Sequence, residues 1–358
     1  MKSFARKFYV LSLTATYAAC GNGSGGEGTS AVSVDDPRIA SDYTVFQLDP
    51  LPGHFRSTAH DINDNGQIVG WSGDLSQKAV LWTIDEVGAI TLMDLGMLPG
   101  GTFSIAYGIN NLGQIVGLTN GASGRWRPFI WTADNGMRDL GVPEGVVGGS
   151  AHSINDTGQV VGAFVTTGAN ISLADRGTFA LWTVDASGAT IGVRDFGNLG
   201  GKAAVAWNNN NHGNVVGDIW FAGGNDQTGF FWSEEDGVIE INNTNEALGI
   251  NDHDEVVGLQ LSNGTGGYVW TAAGGLIKIP DGVSMRINNS GQATGRANVG
   301  LDGQPQAYVW EDGQLKLLPM HQNAVSSWAL SINEAGSIVG WSTVDGIAYA
   351  SYWMFNPP

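Results

Sequence analysis

The residues of this chain that could do chemistry recur in fixed company. Asp61-x-Asn63-x-Asn65-Gly66 carries the oxygen ligands and the glycine that open an EF-hand calcium loop. The twelfth loop position needs a bidentate Glu and holds Ser72; the counterpart of Asp61 is Gly108 in the next copy and Ser153 in the one after. The stretch therefore reads as a hairpin turn, in which Asn bonds its own backbone two residues on and Gly supplies positive φ. His60 and His152 sit three residues before such an Asn. Tyr107, Trp207, Leu248, Met285 and Leu330 hold the same place in other copies, so the position is a packing site and not half of a metal pair. Cys20 is the only cysteine, which leaves the folded body without a thiol nucleophile. There is no His-Glu-x-x-His and no Gly-x-Ser-x-Gly in a strand-to-helix setting. No catalytic residue, metal or cofactor is assigned. A carboxylate pair formed between elements distant in sequence stays open.

What must position these residues is a repeat. Ile62-Asn63-Asp64-Asn65-Gly66-Gln67-Ile68-Val69-Gly70 returns at Ile109–Gly117, Ile154–Gly162 and Ile332–Gly340, with weaker copies ending at Gly217, Gly258 and Gly295. The marker asparagines are Asn63, Asn110, Asn155, Asn210, Asn251, Asn288 and Asn333, 37 to 55 residues apart. Repeats of about 40 to 50 residues built from strands are the signature of a β-propeller. The second unit illustrates four strands: Ser104 to Ile109, Gln114 to Gly117, Pro128 to Thr132 and Met137 to Gly141. The third carries a tryptophan in every unit, at 82, 131, 182, 232, 270, 310 and 353, in a register that suits packing between blades. The fourth alternates charged and apolar residues, as in Asp94, Asp139, Asp195 and Glu240, which fits an outer strand with one wet face.

The ends decide how the ring closes. The last unit stops at Phe355 without a fourth strand, and Tyr43–Leu48 has the fourth-strand pattern with no strands before it. The expected fold is all-β, a seven-bladed propeller spanning residues 41–358, with Tyr43–Leu48 completing the final blade.

Composition bounds the rest. Among 358 residues there are 54 glycines and 13 tryptophans, which suits short strands, tight turns and large packing residues. A formal charge of −18 argues against nucleic acid and anionic membrane faces as partners. Lys2, Arg6 and Lys7 precede a short apolar run and Ala18-Ala19-Cys20. Residues 1–19 read as a signal peptide and Cys20 resembles the lipidated cysteine of bacterial lipoproteins, although Tyr17 departs from the usual Leu. Residues 20–40 begin Cys-Gly-Asn-Gly-Ser-Gly-Gly and read as a flexible tether. The expectation is an exported monomer, held to a bacterial membrane by its lipid alone.

The motifs Ile-Asn-x-x-Gly-Gln-Ile-Val-Gly, Phe-x-Trp-Thr and x-Asp-Leu-Gly together resemble the HAF-type extracellular repeat family over about residues 43–355. That resemblance implies a secreted or surface location and brings no catalytic residues. Strand alternation places the Asn-x-x-Gly turns on one face and the variable loops 119–127, 165–177 and 219–228 on the other. Function in repeat scaffolds sits where loops vary. Arg125, Trp126, Arg127, Trp220 and Phe221 are the candidate ligand residues there, suited to stacking a sugar or anchoring a protein partner. A propeller hydrolase or lyase acting on extracellular polysaccharide is the alternative, marked by carboxylates gathered at the loop-rich mouth.

Overall fold

The computed structural model describes residues 38–74, 76–85, 88–166, 177–221, 227–260, 266–298 and 304–356. Cys20 and the segments assigned to the signal peptide and most of the tether lie outside them. Seven four-stranded antiparallel sheets are present, each taking its strands in chain order from inside to outside except the last. In that blade the order is Tyr43–Leu48, Ile347–Phe355, Ile338–Val344, Ala324–Ile332, so the first strand of the described chain is the outer strand of the seventh blade. Tyr43 pairs with Phe355 and Leu48 with Ala350, and the Tyr43 hydroxyl donates to the Gly336 carbonyl at 3.0 Å. The folded body starts slightly before its expected boundary. Ile39 bridges Leu317 of the sixth blade, and Ala40 is buried beside it. The entering chain thus touches two neighbouring blades.

Each blade buries both faces against its neighbours, which is why third strands read as near-continuous apolar runs such as Ala79-Val80-Leu81-Trp82. Trp82, Trp182 and Trp353 are fully buried in these interfaces. Their indole N–H groups donate to the carbonyls of Asp49, Gly141 and Pro319, tying down the crossover that enters each blade. A tryptophan at this place both fills the gap between sheets and satisfies a backbone oxygen that would otherwise be buried unpaired.

The inner hairpins share one irregularity. In every blade the register slips just before the marker Asn, so that His60, Tyr107, His152, Trp207, Leu248, Met285 and Leu330 are the extra residues of seven β-bulges. The slip presses the inner strand onto the glycine that ends each Ile-Val-Gly. A Cβ on Gly70, Gly117, Gly162 or Gly340 would fall inside the facing carbonyl of Thr58, Ile105, Ser150 or Trp328. The motif's last residue is therefore fixed by a close backbone approach.

Candidate functional site

The marker asparagines do more than make turns. The Oδ1 of Asn110 accepts from Leu112 N (3.2 Å) and Gln114 N (2.9 Å), which is the expected turn chemistry. Its Nδ2 is then left over. It donates to Gln114 Oε1 (2.8 Å) and to the Asn155 carbonyl of the next blade (3.1 Å). The same step runs from Asn63 to Asn110, Asn155 to Asn210, Asn210 to Asn251, Asn251 to Asn288, Asn288 to Asn333 and Asn333 back to Asn63. Seven buried amides form a closed ring.

A second ring lies on it. The residues after the markers are Asp64, Asn111, Asp156, Asn211, Asp252, Asn289 and Glu334, and each backbone N–H donates to the side-chain oxygen of the next, Glu334 closing on Asp64 at 2.9 Å. Carboxylates and amides alternate from Asp64 to Glu334, where two carboxylates meet at the closure, and the Asn111 Nδ2 also bridges Asp64 (2.9 Å) and Asp156 (3.1 Å). Burial pushes the Asp252 carboxyl up, but hydrogen bonds from Asn211 and Asn289 outweigh it and hold the group below the usual carboxylate range. Inside these rings is a cavity of about 160 Å³. The turn face is thus not the featureless one that variable-loop reasoning implies; its uniformity comes from two interlocked hydrogen-bond rings.

In the wall of this cavity Asp61 and Arg286 are both buried and act on each other electrostatically. Burial raises the Asp61 carboxyl, opposed by Arg286 and by donors from Ser331 Oγ (2.6 Å) and Ile109 N (3.0 Å). Burial likewise lowers the Arg286 guanidinium, opposed by Asp61. The bulge residues make a belt at this level: His60 stacks on Tyr107 at 5.2 Å and His152 on Trp207 at 4.6 Å. Each histidine Nδ1 meets a carbonyl of the next blade, Ala106 and Ala206, both at 2.8 Å. Burial pushes both imidazoles down to about 4 despite those carbonyls. They are core residues, as their shared position with Leu and Met implies. Among the described residues no group of His, Cys, Asp and Glu is arranged to hold a metal ion.

The opposite, loop-rich end breaks the repeat. One residue past each Ile-Val-Gly glycine the blades carry Trp71, Leu118, Ala163, Asp218, Leu259, Arg296 and Trp341, paired across the inner hairpin with Thr58, Ile105, Ser150, Val205, Glu246, Val283 and Trp328. The fourth to seventh blades thus concentrate charge and indole at one rim. Arg296 lies over the Trp328 ring at 4.3 Å, and Trp328 contacts Trp341 at 5.9 Å. Asp218 is 1% exposed and Trp207 Nε1 donates to it at 2.6 Å; Glu246 accepts from Gln227 Nε2 at 3.0 Å. Burial raises the Asp218 carboxyl well above its ordinary value, and the neighbouring Glu246 carboxylate raises it further. Several buried polar atoms at this end have no partner: Thr178 Oγ1, Asp218 Oδ1 and the indole nitrogens of Trp220, Trp328 and Trp341.

The residues singled out from the variable loops divide here. Trp126 and Arg127 are in a strand, Trp126–Thr132, and not in a loop. The Trp126 ring packs on Ala163, Val165 and Val205, and Arg127 Nε pairs with Asp139 Oδ2 at 2.7 Å. Both have structural work. Arg125 is exposed at the rim. Trp220 ends the strand Val215–Trp220, two residues beyond Asp218 and on the same face of the sheet, while Phe221 is partly buried against the core cluster that includes Ile219. The loops 167–176 and 222–226 lie outside the described residues. Asp218, Glu246, Arg296, Trp328 and Trp341 were missed by loop reasoning. The signal that finds them is departure from the repeat at an inner-strand position.

No protein-family model matches the chain, and no curated protein matches it in sequence. Solved structures do. The β-propeller domain of the trilobed protease of Pyrococcus furiosus, described as having an open velcro topology, is 12% identical with a TM-score of 0.53, covering 85% of this chain and all of that one. A puromycin-hydrolyzing peptidase of Mycobacterium tuberculosis is 12% identical with a TM-score of 0.51, covering 80% of this chain and 49% of its own. A Trypanosoma rangeli sialidase is 10% identical with a TM-score of 0.47, over 89% and 59%. The first two similarities establish a shared propeller fold and nothing of activity. This propeller, unlike one with an open velcro, is closed by its own first strand.

Proposed function

We propose that this chain is an exported, lipid-anchored propeller of the HAF-repeat type that binds a glycan at its loop-rich mouth. The observation that carries the reading is the gathering of unpartnered polar atoms at that end, against complete pairing in the rings at the other. Buried N–H groups without acceptors are costly, and three indole N–H groups beside aromatic faces suit a ligand that offers both hydroxyl acceptors and C–H surfaces for stacking. A sugar chain does both. Trp220 and Trp341 would stack on it, Trp328 would support Trp341 from beneath Arg296, and Arg125 and Phe221 would flank the mouth. The test is glycan-array binding of the mature protein and of Trp220→Ala and Trp341→Ala. The reading expects a bound glycan whose signal falls in both variants; an empty array, or unchanged binding in the variants, sinks it. Fractionation of cells carrying Cys20→Ser checks the anchor, which predicts release into the soluble fraction.

A hydrolytic reading is favoured by one specific feature, the adjacent Asp218 and Glu246 at the same mouth. A carboxyl raised by burial and by a second carboxyl beside it resembles an acid–base arrangement. Binding stands first because Asp218 is closed off from solvent and engaged by Trp207. Release of reducing ends from a bound glycan, abolished in Glu246→Gln with binding retained, would instead put hydrolysis first.

A further inference from the structure

Seven is odd, so a ring of alternating carboxylates and amides must contain one mismatch. Six of the seven junctions in the second ring set a carboxylate beside an amide. The seventh sets Glu334 of the last blade beside Asp64 of the first, with Glu334 N donating to Asp64 Oδ1 at 2.9 Å. No amide side chain joins the two carboxylates there, as Asn111 joins Asp64 and Asp156.

The first ring is thinnest at the same junction, for a separate reason. In the other six blades the marker Nδ2 donates twice, to the carbonyl of the next blade and to a side-chain oxygen. The residue four past Asn333 is Ser337, too short to offer that oxygen. Asn333 Nδ2 keeps the Asn63 carbonyl at 3.2 Å, the longest of the seven inter-blade bonds.

From these two coincident weaknesses we infer that the turn-face end of the junction between the last and first blades is a pH-sensitive latch, loose when Glu334 is ionised and tight when it is protonated. A proton removes the repulsion from Asp64 and makes one Glu334 oxygen the donor that this junction lacks. Burial pushes the Glu334 carboxyl above its ordinary value; the Asn289 N–H opposes this, Asp64 and Asp252 raise it further, and His253 draws it down. Also about this turn are Tyr43, whose hydroxyl donates to the Gly336 carbonyl, and Asp61, Asp156 and Arg286 in the cavity wall. The ionised form is the strained one, so the junction loosens as pH rises through the Glu334 titration. The loosening is local. Deeper in the same junction Ser331 Oγ donates to Asp61 Oδ1 at 2.6 Å, and an apolar cluster including Leu48, Trp82 and Tyr352 holds the two blades together.

The test is native-state hydrogen exchange of the protein, resolved by amide and corrected for intrinsic rates, from about pH 5 to about pH 8. The Glu334 amide should lose about threefold in protection across that range relative to the Asn111 amide, its counterpart in the second blade. Glu334→Gln, which supplies the missing amide on an exposed turn, should abolish the change and hold the junction at its acid protection throughout. Ser337→Gln, which supplies the missing acceptor, should raise protection about fivefold at every pH, the worth of one hydrogen bond, and leave the pH dependence in place. If Ser337→Gln does not fold, Glu334→Gln decides alone. A Glu334 amide that keeps pace with Asn111 across the range, or a pH dependence that survives Glu334→Gln, overturns the inference.

Discussion

Replacing Asn110 by Asp separates the two jobs assigned to the marker asparagine. Asp makes the same local turn as Asn, because the turn uses only Oδ1 as an acceptor. If the residue were a turn former alone, Asn110→Asp would be close to neutral. In the ring, however, Nδ2 donates to Gln114 Oε1 and the Asn155 carbonyl, and Asn110 is 3% exposed. Asp would set a carboxylate oxygen against two acceptors with no water to intervene. Gln114 cannot rotate its amide to help without losing the bond from its Nε2 to the Asp185 carbonyl (2.9 Å). Losing two buried hydrogen bonds and burying a charge between acceptors costs about 3 to 5 kcal/mol. Asn110→Ala removes all four bonds and at about 1 kcal/mol each costs about 4 kcal/mol. The ring thus requires Asp to be about as damaging as Ala. Urea unfolding followed by tryptophan fluorescence and far-ultraviolet circular dichroism measures both. A raised carboxyl at this site would be protonated as pH falls, regaining one donor, so the deficit of the Asp variant should narrow toward acid while that of the Ala variant does not. An Asn110→Asp protein within about 0.5 kcal/mol of the parent at neutral pH would refute the ring as a stabilising element.

Three further outcomes are expected. Gly162→Ala forces a Cβ into the Ser150 carbonyl opposite a bulge, and it should cost at least about 3 kcal/mol in the same unfolding assay. His60 and His152 have folded values of about 4 against 6.5 for the free imidazole. The unfolded chain therefore binds more protons between those values, so their contribution is fully present above pH 6.5 and is lost as pH falls toward 4, on the order of 3 kcal/mol for each. His152→Leu, which places there the residue found at 248 and 330, should flatten that acid slope. Finally, a chain lacking residues 38–48 loses Leu48 and Tyr43 from the core and bares the Ile347–Phe355 edge. Size-exclusion chromatography should then show association of copies through the open edge, and an unchanged monomer would argue that the first strand is not the clasp.

Much of this architecture is legible in the sequence because it is local. Alternation, the Asn-x-x-Gly turns and the regular third-strand tryptophan each report on a few neighbouring residues, and counting them gives seven blades and the closing strand. What a single repeat does not report is where a side chain goes once its local bonds are made. The Oδ1 of Asn63 is used within four residues, but its Nδ2 partner is Asn110, forty-seven residues on. The alternation Asp64, Asn111, Asp156, Asn211, Asp252, Asn289 is visible only when copies are compared by column. In the sequence Pro128 marks the start of the third strand, which leaves Trp126 and Arg127 in the loop before it. The ladder in fact begins two residues earlier, where Trp126 pairs with Asn120. Asp218 escaped notice for the opposite reason: it sits in a regular strand, and only its neighbours in the other blades, Ala163 and Leu259, show it to be out of place.

The two ends of the channel bear on each other through stability. Each ring bond joins one blade to the next, so no blade can leave the circle without breaking bonds on both sides, and every one of these amides and carboxylates is satisfied by the protein itself. Such closure at the turn face lets the other end tolerate groups that cost stability: a buried Asp218 beside Glu246, and indole nitrogens left unpaired. A propeller held at one end can diverge at the other. That asymmetry explains why the repeat is strict around the marker asparagines and lax past the Ile-Val-Gly glycine.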